Sequence, residues 1–204
     1  VDSSAASDVY KRQNISSVFT LCGGHISPIL VGCEKENINI IQVRDEVSAV
    51  FAADAVSRLT DSVGVAIVTA GPGVTNTITA IKNAQMAQSP VLLIGGAAAT
   101  LLKGRGSLQD IDQISLLKTY VKSAVSVKKT RDVIPTLANA LNTATSGVPG
   151  PVFVELPIDL LYPEEDIRKE FINQLPKSGY FGKIANLYVE RHLNDLFSSK
   201  KSSI

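Results

Sequence analysis

Short runs of β-branched and aliphatic residues alternate along the chain with longer segments in which apolar residues recur every three or four positions. This alternation is typical of βαβ units, in which parallel strands are covered by helices. Two interior runs, VAIVTA and VLLIGG, are almost continuously apolar, as expected for strands that are buried on both faces. The pattern predicts an α/β fold with a doubly wound, six-stranded parallel sheet and helices on both faces.

The predicted strands and helices follow one another along the chain. We expect strands at 18–21, 38–43, 64–69, 91–95, 122–127 and 151–156. We expect helices at 28–36, 46–59, 74–87, 111–117 and 131–145. Turns rich in glycine or proline follow the third and fourth strands and precede the sixth, which supports these boundaries.

The two ends of the chain lack this alternation. Residues 1–16 show no periodic pattern, and we expect a non-native or disordered leader there. The predicted domain covers residues 17–165. The composition then becomes polar and charged, so residues 166–204 are predicted to form a linker, with one short helix over 184–197, toward a further, missing domain.

Composition narrows the function classes. The 204 residues include 20 Lys and Arg against 19 Asp and Glu, so there is no basic excess for a nucleic-acid partner. With 45% hydrophobic and 19% charged residues, the chain is typical of globular proteins. No run of about 18 apolar residues occurs, the length expected of a membrane span. Cys22 and Cys33 lack the paired spacing of a zinc site, and we expect no metal ligands in this chain.

Candidate functional residues are expected at the ends of strands. In an open parallel sheet, ligands bind beyond the carboxyl ends of the strands, where the strand order reverses. Four polar or glycine-rich segments lie at or beyond predicted strand ends, namely 22–25, 44–46, 69–76 and 104–113. A hydrolase of the Ser-His-Asp type is disfavoured, because His25 is the only histidine in these segments and no G-x-S-x-G elbow accompanies it.

Glu46 begins a predicted helix and shares its inner face with Ala49 and Ala53. Asp54 and Arg58 are spaced to form an exposed ion pair on the same helix. The acid at the helix start has two interpretations. It either complements the helix dipole, or it is a partly buried carboxyl that faces a ligand and shares a proton with it.

Segment 69–76 places a glycine-rich turn directly before a helix, so that backbone N–H groups face outward and a flat ligand can approach. The segment is close to a dinucleotide-binding fingerprint. However, Asn76 stands in place of the third glycine, and the segment follows the third strand rather than the first. A dinucleotide site is therefore disfavoured.

Taken as an ordered set, five segments resemble the N-terminal pyrimidine-binding domain of thiamine diphosphate enzymes of the acetolactate synthase group. They are FTLCGGHISPIL, VRDEVSAVFAADAVSRL, VAIVTAGPGVTNTITAIKNAQMAQSPVLLIGG, GSLQDIDQ and GVPGPVFVELPIDLLYP. The resemblance extends over about residues 17–197. Each segment alone is a weak signal, whereas their order along the chain is specific.

The resemblance implies thiamine diphosphate as the cofactor and Glu46 as its activator. The matching glutamate of the family hydrogen-bonds the pyrimidine ring and thereby promotes loss of the thiazolium C2 proton. The resemblance also implies a set of contacts. The cofactor-binding residues would be Gly23, Gly24, Glu46, Thr69, Pro72, Gly73 and Asn76, and Gln109 would approach the substrate as a second catalytic residue.

The chain departs from the family pattern at two positions. Asp45 occupies a position that is usually histidine, which leaves the neighbouring glutamate unaffected. Leu108 stands where acetolactate synthases usually have phenylalanine. The second departure favours a lyase branch of the family over true acetolactate synthesis.

The resemblance has further implications beyond this chain. The family binds the diphosphate through Mg²⁺ in a C-terminal domain and builds each site between two subunits, which implies a homodimer or homotetramer. FAD stays undecided, because it would be bound largely by a missing central domain. An endoplasmic reticulum membrane anchor is suggested by the resemblance alone.

Three functions follow as hypotheses. The first is a carbon–carbon lyase that cleaves 2-hydroxyacyl-CoA to formyl-CoA and a shortened aldehyde, in which this chain supplies the pyrimidine-binding half of the site. The alternative is an acetolactate-synthase-type transferase that condenses 2-oxo acids. The third is a non-catalytic interaction domain that retains the fold without the chemistry.

Overall fold

Six strands form one sheet in the computed structural model, which describes residues 15–173, 175 and 180–198. The strands are β1 (Ser17–Leu21), β2 (Asn39–Gln42), β3 (Gly64–Val68), β4 (Val91–Ala97), β5 (Ala124–Ser126) and β6 (Val152–Pro157). The helices are α1 (Ser27–Lys35), α2 (Glu46–Leu59), α3 (Pro72–Thr75), α4 (Ile78–Met86), α5 (Gln113–Leu117), α6 (Val133–Thr145), α7 (Glu164–Asn173) and α8 (Tyr180–Leu196). Short 3₁₀ helices lie at Thr130–Asp132 and Ile158–Leu160.

The order of the strands across the sheet is β2-β1-β3-β4-β6-β5, and all neighbouring strands are parallel. This order confirms the predicted six-stranded α/β fold. The chain runs from β1 to β2 in one direction and then returns past β1 to β3, so the order reverses between β1 and β3. The carboxyl ends of these two strands are therefore the expected place for a ligand.

Alternate residues of β4 belong to different hydrophobic cores. Leu92 and Ile94 pack on the side of α1, α6, α7 and α8, whereas Val91 and Leu93 pack on the side of α2, α4 and α5. Successive side chains of a strand point to opposite faces, so helices cover both faces of the sheet. Among the described residues, no helix is both long enough and apolar enough to cross a membrane.

Helix α2 lies directly against strand β3 at Gly64. A Cβ atom at Gly64 would lie 1.9 Å from the backbone oxygen of Ala53, so glycine is needed for this approach. Ala49 and Ala53 are fully buried in the core on this side of the sheet. The predicted inner face of the helix is confirmed, and its packing fixes the position of the first helical residue, Glu46.

The helix predicted over 74–87 is divided into α3 and α4, with Asn76 and Thr77 between them. The hydroxyl of Thr77 donates to the carbonyl of Val74 at 2.7 Å, and the backbone N–H of Thr77 donates to the same carbonyl at 3.1 Å. These local bonds replace the regular helical pattern at this point. Asn76 therefore lies at the end of α3 rather than inside a longer helix.

The segment predicted to be a linker with one helix contains two helices, α7 and α8. Phe171 of α7 is buried in the larger core, as are Val189, Leu193 and Leu196 of α8. Burial of these apolar side chains stabilises the packing of both helices on the sheet. The many charges of α7 conceal its apolar positions in the sequence, which is why only one helix was expected.

The predicted leader lies outside the described residues except for its last two positions. Ile15 is buried in the larger core, and the carbonyl of Ser16 accepts a hydrogen bond from the N–H of Asn39 at 2.9 Å. These two residues therefore belong to the folded domain.

The predicted pair of Asp54 and Arg58 is present, but Asp54 is buried rather than exposed. Its carboxylate accepts hydrogen bonds from Arg58 at 2.7 and 2.9 Å and from Asn83 of α4 at 3.0 Å, and the residue is 3% exposed. Burial favours a raised pKa for Asp54, but the hydrogen bonds from Arg58 and Asn83 outweigh it and lower the pKa. Spacing within one helix does not reveal that a second helix covers the acid.

We predict that Asp54→Asn lowers the free energy of unfolding at pH 7 by about 1–3 kcal/mol, because the variant loses a charged hydrogen-bond acceptor. The pKa of Asp54 is lower in the folded chain than in the unfolded chain, so its stabilisation is present above about pH 4 and is lost as the pH falls through the folded pKa. Chemical denaturation should therefore show a difference between wild type and variant that shrinks below about pH 4.

Asp61→Asn is the matched control, since Asp61 is an exposed aspartate just beyond the same helix. We expect little change in its free energy of unfolding. Equal losses in both variants, or a loss that does not change with pH, would contradict the role assigned to Asp54.

Candidate functional site

The predicted site residues meet at the carboxyl ends of β1 and β3, where the strand order reverses. The loop after β1 contains Gly23 and Gly24, and the loop after β3 leads from Thr69 into α3. Strand β2 pairs with β1, and Asp45 and Glu46 follow β2 at the start of α2. Three of the four predicted segments therefore lie at this edge of the sheet.

Glu46 is the first residue of α2 and is 8% exposed. The carboxylate of the preceding residue, Asp45, accepts the backbone N–H of Val47 at 3.0 Å and thereby caps the helix. Oε2 of Glu46 accepts a hydrogen bond from Nδ2 of Asn76 at 3.0 Å. The carboxyl of Glu46 is thus both buried and oriented by a partner, which is more than an interaction with the helix dipole requires.

Two glycines near Glu46 pack closely against Thr69. A Cβ atom at Gly73 would lie 2.8 Å from Cγ2 of Thr69 and 3.4 Å from Oε1 of Glu46. A Cβ atom at Gly23 would lie 2.5 Å from Cβ of Thr69. Glycine is therefore needed at both positions, because the backbone packs closely against the side chain of Thr69. We refer to the group formed by Gly23, Glu46, Thr69, Gly73 and Asn76 as the Glu46 cradle.

The other predicted site residues border the Glu46 cradle. Pro72 is exposed at the first position of α3, where its missing N–H costs no hydrogen bond. A Cβ atom at Gly24 would meet no described atom within 4 Å, so packing does not require this glycine. The backbone of Gln109 lies against Gly71, where a Cβ atom would stand 2.7 Å from the Gln109 carbonyl oxygen. Gln109 itself has a φ of 62°, in the left-handed region.

His25 also borders the Glu46 cradle, although it was not among the predicted site residues. Its Nδ1 lies 3.4 Å from the hydroxyl oxygen of Thr69. Gly96 at the end of β4 leaves room for the histidine, because a Cβ atom at Gly96 would lie 2.6 Å from Cβ of His25. Burial lowers the pKa of His25, so the imidazole is neutral at pH 7. Its position directly after two glycines at a strand end is the sequence signal for this location.

Gln113 and Glu155 form a second buried group next to the turn at Gly71. Gln113 is the first residue of α5, which begins two residues later than predicted because Asp112 caps it. Oε1 of Gln113 accepts the N–H of Gly71 at 2.8 Å, and its Nε2 donates to Glu155 at 2.7 Å. Both residues are at most 1% exposed. Gln113 ends the predicted segment 104–113 but had no role assigned to it, and Glu155 was not predicted, since their contacts join distant parts of the chain.

The described residues contain no group of three or more His, Cys, Asp or Glu side chains that could bind a metal ion. Cys22 is exposed and Cys33 is buried. The edge of the sheet presents an oriented carboxyl, the backbone of two glycines and a neutral imidazole. This set of groups can bind a flat polar ring and exchange a proton with it.

Comparison with known proteins relates the chain to one family. Residues 3–116 match the family model described as "Thiamine pyrophosphate enzyme, N-terminal TPP binding domain". The chain is 58% identical over 194 residues to the 2-hydroxyacyl-CoA lyase 2 of Danio rerio and 55% identical over 190 residues to the protein of that name from Homo sapiens. These alignments cover 95% and 93% of the chain but only 31% and 30% of the relatives.

Acetolactate synthases are similar at lower identity. A large subunit from Mycobacterium tuberculosis is 40% identical over 149 residues, which cover 73% of this chain and 27% of that protein. The family model covers more than half of the chain and includes every residue of the Glu46 cradle. The chain therefore belongs to the thiamine pyrophosphate enzymes and contains their N-terminal cofactor-binding domain.

Proposed function

We propose that this chain is the pyrimidine-binding part of a thiamine diphosphate-dependent lyase that cleaves 2-hydroxyacyl-CoA to formyl-CoA and a shortened aldehyde. The observation that carries the proposal is the buried carboxyl of Glu46, which Asn76 orients at the ligand-binding edge of the sheet. The names of the relatives with 55–58% identity support the substrate class. The chain spans about 30% of the length of those relatives, and further domains of the complete enzyme are part of the proposal.

The Glu46 cradle fits the pyrimidine ring of thiamine diphosphate. Asn76 engages one carboxylate oxygen of Glu46, and the other, Oε1, lies 3.4 Å from the point at which a Cβ atom of Gly73 would stand. In the proposed complex a ring nitrogen of the pyrimidine approaches that oxygen. In the proposed complex the cofactor contacts Gly23, Gly24, Glu46, Thr69, Pro72, Gly73 and Asn76.

The chemical role proposed for this chain is to hold and transfer a proton. Thiamine diphosphate, when bound, supplies the carbon nucleophile and electron sink for cleavage next to a carbonyl. Glu46 holds a proton at Oε1 while Asn76 fixes Oε2, so the proton is directed toward one side of the carboxyl. Burial of Glu46 limits competition from water for that proton.

Gln109 is proposed to approach the substrate from the loop that lies against Gly71. The neighbouring Leu108 is 81% exposed, so its side chain is available for contact with a substrate or a further domain. Leucine is smaller than the phenylalanine that is usual in acetolactate synthases at this position. The smaller side chain leaves more room for an acyl group.

Several components of the proposed enzyme lie outside this chain. Mg²⁺ and the diphosphate are proposed to bind in a C-terminal domain of a partner subunit, within a homodimer or homotetramer. The greater length of the relatives supports the presence of such a domain. Whether the complete enzyme binds FAD stays open. A location at the endoplasmic reticulum membrane is proposed from the family resemblance alone.

We predict that Glu46→Gln in the complete enzyme lowers both C2 proton exchange of thiamine diphosphate and lyase turnover by at least about 100-fold, because an amide cannot hold and return the proton. NMR after acid quenching in deuterated buffer measures the exchange, and release of formyl-CoA measures the turnover. Asp45→Asn makes the same carboxyl-to-amide change at the adjacent exposed residue and keeps a good N-cap, so it should leave both rates unchanged. Exchange at the wild-type rate in Glu46→Gln would overturn the role of Glu46.

The reaction class is tested by offering the complete enzyme a 2-hydroxyacyl-CoA or pyruvate. We expect formyl-CoA and an aldehyde from the first substrate and little acetolactate from the second. Acetolactate as the sole product would support the synthase alternative. The similarity of the chain to acetolactate synthases favours this alternative. A folded complete protein that binds no thiamine diphosphate would support the non-catalytic interaction domain.

A further inference from the structure

The carboxylate of Glu155 connects two loops that border the Glu46 cradle. Glu155 lies in β6 and is fully buried. Its Oε2 accepts Nε2 of Gln113 at 2.7 Å, and its Oε1 accepts the hydroxyl of Ser126 at 2.7 Å and the ammonium of Lys103. Hydrogen bonds to a charged acceptor are strong, so these contacts hold all four side chains in fixed positions.

The presence of a carboxylate in this strand is unexpected on packing grounds. Its neighbours in β6, from Val152 to Val154 and Leu156, are apolar and fully buried. A buried charge costs free energy that an apolar residue in the same strand would not. Glu155 lies near the carboxyl end of the strand, on the edge where the candidate site is found. Its position therefore points to a role in the site rather than in the core.

Gln113 makes the first connection, toward the cradle. Its Oε1 accepts the N–H of Gly71 at 2.8 Å, and its Nε2 also donates to the carbonyl of Gly96 at 3.1 Å. Gly71 has a φ of 63° and directly precedes α3, the helix that contains Gly73 and is followed by Asn76. The side chain of Gln113 thus fixes the turn that leads into the cradle.

Lys103 makes the second connection, toward the loop that contains Gln109. The residue after Lys103, Gly104, donates its backbone N–H to the carboxylate of Asp110, so the two ends of this loop are joined. Lys103 attaches the closed loop to Glu155. Gln109 is therefore held on a segment whose anchor is the same buried carboxylate.

We propose that Glu155 is a positioning residue of the thiamine diphosphate site, which places the cofactor-side turn through Gln113 and the substrate-side loop through Lys103. The inference rests on the proposed function, because it assigns the two loops to that site. It also assigns each connection to a different ligand, the cofactor or the substrate. Loss of the Gln113 connection weakens cofactor binding, whereas loss of the Lys103 connection weakens substrate binding.

The cofactor side is tested with Gln113→Glu in the complete enzyme, which keeps the acceptor for Gly71 but sets a second carboxyl against Glu155. Isothermal titration calorimetry should show the dissociation constant of thiamine diphosphate rising about tenfold or more. The double variant Gln113→Glu/Glu155→Gln again pairs one carboxyl with one amide. It should return the dissociation constant of thiamine diphosphate to within about threefold of wild type. The control Gln88→Glu makes the same change at an exposed residue and should leave it unaltered.

The substrate side is tested with Lys103→Met, which keeps an unbranched apolar side chain and removes the charge. We expect the KM for 2-hydroxyacyl-CoA to rise about tenfold, with the thiamine diphosphate dissociation constant within about threefold of wild type. Lys82→Met, at an exposed lysine of α4, is the matched control. If Gln113→Glu does not fold, Gln113→Asn takes its place with the same expectation. If Lys103→Met does not fold, Lys103→Gln takes its place.

The positioning role is overturned if folded variants keep both constants at the wild-type values, or if each variant changes both constants equally. In either case the proposed function stands, because the wild-type enzyme still binds the cofactor and cleaves the substrate. A wild-type enzyme that binds no thiamine diphosphate overturns the proposed function, and this inference with it.

Discussion

The contact between helix α2 and strand β3 at Gly64 determines the position of Glu46 at the edge of the sheet. With no side chain at Gly64, the backbone of Ala53 rests on the strand, and the helix cannot move closer or rotate without collision. The cap formed by Asp45 fixes where the helix begins. Glu46 is therefore held at the sheet edge by packing seven residues away, while its partner Asn76 belongs to a different element. The bond between them exists only because both elements are positioned independently by the sheet.

Three of the four buried acids in the described structure are bonded by a side-chain amide. The pairs are Glu46 with Asn76, Asp54 with Asn83, and Glu155 with Gln113. The fourth, Asp159, accepts hydrogen bonds from Thr100, and burial raises its pKa. Asp54 and Glu155 also have a cationic partner each, whereas no ion pair involves Glu46 within the part of the chain that the structure describes. An amide orients a carboxyl without placing a charge beside it, which suits the role proposed for Glu46.

The strands and the site edge could be predicted because they depend on patterns that a sequence displays directly. Buried parallel strands give apolar runs, and glycine-rich turns such as the one at Gly73 mark strand ends. Features that depend on a single side-chain bond could not be predicted, such as the helix break at Thr77, since many hydroxyls compete for similar bonds. The pairing of Gln113 with Glu155 joins residues 42 positions apart, and it exists only after the sheet has formed. The sequence therefore indicates which residues are candidates for contact with a ligand more readily than which residues position them.

The chemistry of the Glu46 cradle also explains why such a site would be divided between domains. The cradle offers a carboxyl, a hydroxyl, an amide and glycine backbone, with a neutral His25 beside it. These groups suit an aminopyrimidine ring, but a diphosphate requires cations to balance its charge. If such cations lay at the same strand ends, they would attract the carboxylate of Glu46 and compete with its proposed contact to the ring. In the proposed enzyme, the acid would lie on this chain and the phosphate-binding groups on another domain, so that one cofactor would bridge both without the acid and the cations meeting.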